Sequence, residues 1–364
     1  MDHKKIRVGI LFGGKSAEHE ISLLSAKNVA DAIDREKYDV TLIGIDKSGK
    51  WMLPNQSQYL LNASDPKLIK LNTAEEKNVA LVPQSGGAIT DLSIQGKDSS
   101  IDVVFPILHG PFGEDGTVQG LLKLADVPFV GAGVLGSAVG MDKEIMKRLL
   151  RDAGIPIGKF LAFKRKDAVS FEEVSRELGL PFFVKPANLG SSVGVSKVKG
   201  EEDFETAIEE AFRFDSKILI EEFIDGREIE CAVLGNDNPV ASGVGEIIPT
   251  HEFYSYDAKY IDESGAATEI PAKIPTETVD RVREFAVRTF KALSCEGLGR
   301  VDCFLKADGT IVVNEINTMP GFTKISMYPK LWAAAGISYP ALIDKLIQLA
   351  IERFQDEKQL DTSR

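Results

Sequence analysis

The chain has 364 residues, 43% of them hydrophobic and 27% charged, and a formal net charge of −12. That length predicts two or three domains with sizeable cores, the composition is that of a soluble protein, and the negative balance argues against a nucleic-acid or acidic-membrane surface. Cys231, Cys295 and Cys303 show neither metal spacing nor an even disulfide framework and are expected reduced and buried.

The residues before Ile6 are too few for a signal sequence and no later apolar run could span a bilayer, so a cytoplasmic protein with no membrane partner is expected. The first third alternates strand and helix: strand Arg7 to Phe12, helix Ala17 to Ile33, strand Val40 to Ile45, strand Val103 to Leu108 and helix Val118 to Ala125. That is an open α/β layout. Trp51 to Ser100 is polar with short apolar pieces and reads as an insertion of weak strands without chemistry. Helix Lys143 to Ala153 stops at Gly154, Ser170 and Glu173 form a capping box, and short strands and helices through Glu221 suggest a smaller α+β unit. Strands Glu228 to Leu234 and Val240 to Glu246, a loop from Pro249 to Gly265, helix Thr278 to Leu293 and helix Pro340 to Arg353 complete the chain.

Five stretches invite chemistry. Gly13 to Glu20 follows the first strand and opens a helix with Ser16 as N-cap, and Leu108 to Gly116 ends another strand, so Glu18 and His109 are expected at one crevice. Gly-x-Gly-x-x-Gly is absent. Phe182 to Val195 is strand, small-residue loop, strand: its backbone N–H groups can curl over phosphate oxygens while Lys185, with Lys143, adds charge. A mobile surface loop is the alternative. Lys217 to Ile224 is a strand with an acidic end, whose backbone can read an adenine edge while Glu228 accepts ribose hydroxyls, or whose acids merely solvate an edge.

The fifth stretch, Gly299 to Phe304 followed by Ile311 to Gly321, reads as a hairpin turned at Asp308-Gly309. A two-residue loop there sets Asp302 opposite Glu315 and Arg300 opposite Asn317, all on one face, with Val301, Cys303, Leu305, Val312 and Ile316 on the core face. Opposed carboxylates repel. Either they point into water, or a hard cation such as Mg²⁺ sits between them.

Taken together, Gly13-Gly14-Lys15-Ser16-Ala17-Glu18, His109-Gly110 with Gly113-Glu114-Asp115-Gly116, Met141-Asp142-Lys143, Lys185 to Gly194, Tyr256 to Tyr260, Gly299 to Asp302 and Asn314 to Gly321 resemble, in order and over essentially the whole chain, the D-alanine:D-alanine ligases of the ATP-grasp superfamily. The resemblance implies an α/β and α+β fold of three domains: an N-terminal open parallel α/β sheet at 1–128, a central ATP-grasp domain at 129–220 and a C-terminal one at 221–364, clamping ATP between the last two. It implies ATP-dependent ligation of two D-alanines through an acyl phosphate for peptidoglycan precursor synthesis, with two Mg²⁺ or Mn²⁺ on Asp302, Glu315 and Asn317, room for a monovalent cation such as K⁺, and a homodimer. By the same resemblance Lys143, Lys185 and Lys259 contact phosphates, and Ser191, Ser192 and Val193 cover them. Glu221, Glu222 and Ile224 line the adenine pocket, Glu228 takes the ribose, and Asn314 and Glu315 complete the ATP site. Glu18 and His109 serve the first D-alanine, Ser326 and Met327 the second one's carboxylate. Arg300 and the Gly321 N–H stabilise the oxyanion, and Ser191, Tyr260 and Glu18 link the loops on closure. Tyr260 favours an amine nucleophile, although a pocket rejects one added hydroxyl, as in D-serine, poorly. The 51–100 segment is longer than in the shortest members. A nucleotide-binding protein without catalysis, or another ATP-grasp carboxylate ligase, are the rival readings.

Overall fold

The computed structural model describes residues 4–63, 65–74, 77–92, 98–249, 266–323 and 325–361. The first sheet collects β1 (Ile6–Gly13), β2 (Tyr38–Ile45), β3 (Trp51–Leu53), β6 (Lys77–Leu81), β7 (Ala88–Asp91), β8 (Asp98–Ser100) and β9 (Val103–Ile107), while β4 (Leu60–Leu61) and β5 (Lys70–Leu71) pair apart. Its order is β8-β7-β6-β3-β2-β1-β9, with β1 parallel to both β2 and β9. The expected weak strands of 51–100 therefore extend this sheet. Because β1 and β9 are parallel neighbours, the turns that follow them, Gly14–Glu18 and His109–Asp115, leave the same sheet edge side by side.

Helix His19–Ala32 begins two residues later than expected. Ser16 does not cap it: its Oγ accepts the Glu18 N–H at 3.0 Å and donates to His109 O at 2.7 Å, tying the two turns together.

The second sheet is antiparallel, β10 (Phe160–Lys164), β11 (Phe182–Pro186), β12 (Ser196–Val198) and β13 (Lys217–Glu222) in the order β10-β13-β11-β12. Ser170 Oγ accepts the Glu173 N–H at 3.4 Å before helix Phe171–Leu178, the capping contact expected there. The third sheet holds β14 (Arg227–Gly235), β15 (Val240–Pro249), β16 (Ala266–Glu269), β17 (Gly297–Leu305) and β18 (Ile311–Asn317) in the order β16-β15-β14-β17-β18.

Four apolar clusters hold these layers. One joins the first sheet (Phe12, Phe105) to the C-terminal helices (Leu331, Leu342, Leu346) through Met319 and Phe322; another lies under the third sheet around Phe290, Val301 and Ile316. A third covers the opposite face of the first sheet, and the fourth, around Phe182, Phe204 and Ile220, belongs to the second sheet alone. Each fully buried side chain of the size of Phe290 contributes roughly 1.5–3 kcal/mol. No single helix among the described residues is long and apolar enough to cross a membrane; Met327–Ala334 and Tyr339–Lys358 pass the test only as a pair bent by 104°, and both feed the first cluster.

Candidate active site

Strands β17 and β18 form the expected hairpin, and Asp302 faces Glu315 while Arg300 faces Asn317. The route to that pairing differs from the expectation. Gly309 N–H donates to Lys306 O and Lys306 N–H to Thr310 O, both at 2.9 Å, so the loop has three residues, closed by Gly309 at φ +81°. Near this tip Cys303 faces Val313 and Leu305 faces Ile311, one position away from the predicted register. A bulge at Asn314 then adds the missing residue and restores it. Asn314 and Glu315 consequently both look into the same cavity. Val312, expected on the core face, leaves it; Ile311 and Val313 pack there instead, alongside Ile316 as expected.

Asp302 is gripped from two sides. Arg300 donates from Nε to Oδ1 and from Nη2 to Oδ2, each at 2.7 Å, and Asn317 Nδ2 donates to Oδ2 at 2.9 Å. Arg300 Nε also lies 2.9 Å from Glu230 Oε2. The face thus carries oxygen donors of the kind a hard divalent cation takes, and a guanidinium that shares them.

A cavity of about 280 Å³ lies between the second and third sheets. One wall is Asp302, Asn314 and Glu315; the far rim is Glu222, Ile224 and Glu228; Phe183, Phe223 and Phe304 supply apolar surface. Phosphate-binding candidates lie between. Lys143 Nζ donates to Leu189 O at 2.7 Å and lies 3.6 Å from Glu315 Oε2, while Lys185 Nζ lies 2.9 Å from Glu221 Oε1. Asp142 fixes the lysine's helix by accepting the Glu144 and Ile145 N–H groups, each at 3.1 Å. Glu222 Oε1 accepts the Lys159 N–H at 2.8 Å.

The loop after β11 turns through consecutive left-handed residues, Ser191 at φ 53° and Ser192 at φ 60°, a conformation L-residues seldom adopt. Both serines border the cavity with Leu189 and Gly190, whereas Val193, whose N–H donates to Gly190 O at 3.2 Å, does not line it. Ser191 Oγ donates to Glu18 Oε1. Glu18 is buried, and Gly110, at φ +73°, stands so close that a Cβ there would be 2.7 Å from Glu18 Oε2.

Glu114, which the sequence did not single out, ties this corner to the third sheet: its Oε1 accepts the Gly110 N–H at 2.8 Å and its Oε2 the Met319 N–H at 3.2 Å. Burial, with the charge of Glu18 added, pushes its carboxyl up to about 8. Both His109 nitrogens are engaged. Nδ1 donates to Met319 O at 3.0 Å, which leaves Nε2 to accept from Ser25 Oγ at 3.2 Å, and burial lowers the imidazole to about 4. Ser25 Oγ in turn accepts the Phe322 N–H at 3.3 Å, so buried Gly321 lies between pinned Met319, two positions before it, and pinned Phe322. Ser326 precedes helix Met327–Ala334 and bonds Thr323; the Met327 side chain is packed in the core, which leaves its first-turn N–H as the group able to meet a carboxylate.

Lys259 and Tyr260 lie outside the described residues. Beyond Glu114, sequence reasoning missed Lys147, which sits behind the lysines, and Glu230, which lines the cavity beside Arg300. A Lys on an amphipathic helix carries no mark of burial; only its spacing of four from Lys143 hinted at a shared face.

Two family descriptions match the chain, "D-ala D-ala ligase N-terminus" over residues 7–132 and "D-ala D-ala ligase C-terminus" over residues 149–348. A D-alanine–D-alanine ligase of Oceanobacillus iheyensis is 58% identical over 364 residues, covering 99% of each chain. A solved D-alanine-D-alanine ligase from Coxiella burnetii superposes with a TM-score of 0.86 at 38% identity, covering 98% of this chain and 97% of that one. The VanG D-Ala:D-Ser ligase of Enterococcus faecalis gives 0.84 at 36% identity, covering 95% and 100%.

Proposed function

Because the chain belongs to the D-ala D-ala ligase family, we propose that it joins two D-alanines into D-alanyl-D-alanine with conversion of ATP to ADP, for peptidoglycan precursor synthesis. The fold is that of ATP-grasp ligases. The observation that carries the reading is the convergence on one cavity of the Asp302–Glu315 hairpin, Lys143 and Lys185, and the acidic end of β13. The three-part division at 128/129 and 220/221 goes with it, β13 straddling the second boundary.

The oxygen donors of Asp302, Glu315 and Asn317 fit Mg²⁺ or Mn²⁺. Two such ions, when bound, neutralise the γ-phosphoryl group and the incoming carboxylate, which would otherwise repel. K⁺ is a further candidate. The chain's own groups do the rest. Lys143 and Lys185 hold the phosphates, with Lys259 reaching in; Ser191, Ser192 and Val193 form the cover; Glu221, Glu222 and Ile224 take the adenine and Glu228 the ribose; Asn314 completes the nucleotide wall.

Glu18 orients the first D-alanine's ammonium, so that its carboxylate meets the γ-phosphorus and becomes an acyl phosphate. The second D-alanine, held by its carboxylate at Ser326 and the Met327 N–H, attacks with its free amine, and phosphate leaves. Arg300 and the Gly321 N–H meet the oxyanion of that tetrahedral state. For Arg300 to do so, its fork on Asp302 must open, and a cation on Asp302 would compensate the loss. His109 acts by holding Met319, not by offering a ring nitrogen to substrate. Ser191, Glu18 and Tyr260 close the loops and exclude water, which would hydrolyse the acyl phosphate.

D-Alanine is favoured as second substrate over the D-serine named for VanG because the relative at 58% identity is a D-alanine–D-alanine ligase. A tyrosine at position 260 is compatible with an attacking amine. We place the enzyme in the cytoplasm, as a homodimer and without a nucleic-acid or membrane partner. The test is ADP release coupled to D-alanine with Mg²⁺ present, repeated with D-serine and D-lactate. Folded protein whose ATP turnover D-alanine does not stimulate would sink the reading.

A further inference from the structure

Lys147 is a lysine that the reaction as drawn does not use, and it is 1% exposed. It lies one helical turn beyond Lys143, on the same helix face, but does not border the cavity. Its Nζ is 3.2 Å from Glu221 Oε2, while Lys185 Nζ is 2.9 Å from Glu221 Oε1. One buried carboxylate is therefore shared between two lysines, of which only Lys185 meets the cavity.

The sharing has an electrostatic consequence. A one-to-one pair of Lys185 with Glu221 is neutral and offers little field to a polyphosphate. Burial and the charge of Lys185 lower the Lys147 ammonium from its ordinary value while Glu221 opposes them; with Lys147 protonated the group carries one positive charge, and the exposed end of that charge is Lys185. Glu221 stays ionised: burial pushes its carboxyl up, but the two lysines together pull it below its ordinary value. In this low-dielectric wall the field of a single charge reaches the cavity with little screening.

We propose that Lys147 is a positioning residue: by taking up half of Glu221 from behind, it leaves Lys185 with net positive charge directed at the nucleotide phosphates. This rests on the cavity being the nucleotide site. A structural lysine that merely neutralises Glu221 would affect every nucleoside ligand alike, whereas this role acts on phosphates alone.

The experiment compares ADP and adenosine binding by calorimetry in the full chain. Lys147→Met should lower ADP affinity about tenfold while adenosine changes less than about twofold. Lys147→Arg, which keeps the charge, should restore the preference for ADP. Glu221→Gln supplies an arm that does not depend on the folding of Lys147→Met: it frees Lys185, so the ratio of ADP to adenosine affinity should rise even if adenine contacts weaken. Equal losses for ADP and adenosine in Lys147→Met, or an unchanged or lower ratio in Glu221→Gln, would overturn the inference. An unaltered chain that binds neither ligand would overturn the nucleotide reading itself, and this inference with it.

Discussion

Ser191 donates its hydroxyl hydrogen to Glu18, joining the loop of the second sheet to the turn after the first strand across 173 positions of sequence. Glu18 is also the group proposed to orient the first D-alanine, and Ser191 one proposed to close the loops over it. Ser191→Ala removes a hydrogen bond to a charged acceptor, a type of bond that contributes about 1.5–3 kcal/mol. We expect kcat/KM for D-alanine to fall about 10- to 100-fold, with the melting temperature nearly unchanged and faster proteolytic cleavage of the 187–195 loop. Cleavage at the unaltered rate would show that the bond does not hold the loop.

Glu315→Gln keeps the size and one oxygen of a side chain that faces Asp302. Since outer-shell changes at metal sites alone cost about 10–100-fold, loss of a direct ligand should lower ligation more than about 100-fold. The far-ultraviolet dichroism should not change. Retained activity at ordinary Mg²⁺ would remove Glu315 from the metal site.

Arg300→Lys keeps the charge but cannot fork both oxygens of Asp302. If Arg300 also meets the oxyanion, kcat should drop about 10²–10³-fold. KM for ATP should move far less, and a large rise in that KM with little change in kcat would place the arginine on the nucleotide instead.

Glu114 and His109 set opposite pH limits. The fold raises the Glu114 carboxyl to about 8, so its contribution is complete below the ordinary carboxylate value of about 4.3 and is lost as pH rises through 8. It depresses His109 to about 4, so that contribution is present above about 6.5 and lost as pH falls towards 4. Melting temperatures measured from acid to alkaline pH should form a dome. Glu114→Gln should flatten the alkaline limb and His109→Asn the acid limb; a Glu114→Gln variant with the original alkaline slope would assign that limb to other groups.

Much of this architecture could be read from the residues, and the exceptions have specific causes. Alternation placed β1, β2, β9 and the β17–β18 hairpin, and it put Asp302 opposite Glu315. That pairing was reached through two deviations that cancel: a loop one residue longer than Asp-Gly suggested, and a bulge at Asn314. Polar Asn314 beside polar Glu315 gives no sign of which one is extra, and Val312 was misplaced as a result. Ser16 looked like a cap because its hydroxyl suits one; in the fold that hydroxyl is drawn to His109 O, a partner 93 residues away. Lys147 and Glu114 act from behind the cavity wall, and Glu230 joins it only through its cross-strand pairing with Asp302; such partners have no local spacing to betray them.

The second sheet keeps an apolar cluster of its own, Phe182, Phe204 and Ile220 among it, that no other sheet enters. For anyone recombining related chains, this makes the segment a graftable unit whose compatibility is decided at a narrow seam. On one side stand Asp142, Lys143 and Glu144; on the other Lys217, Ala187 O and Leu189 O, which they hold by two ion pairs from Lys217 at 2.6 and 2.8 Å and by hydrogen bonds at 3.0 and 2.7 Å. A graft that preserves those six positions, together with the Ser191–Glu18 and Lys147–Glu221 contacts, should keep the loop after β11 aligned, whatever sequence fills the apolar side of the sheet.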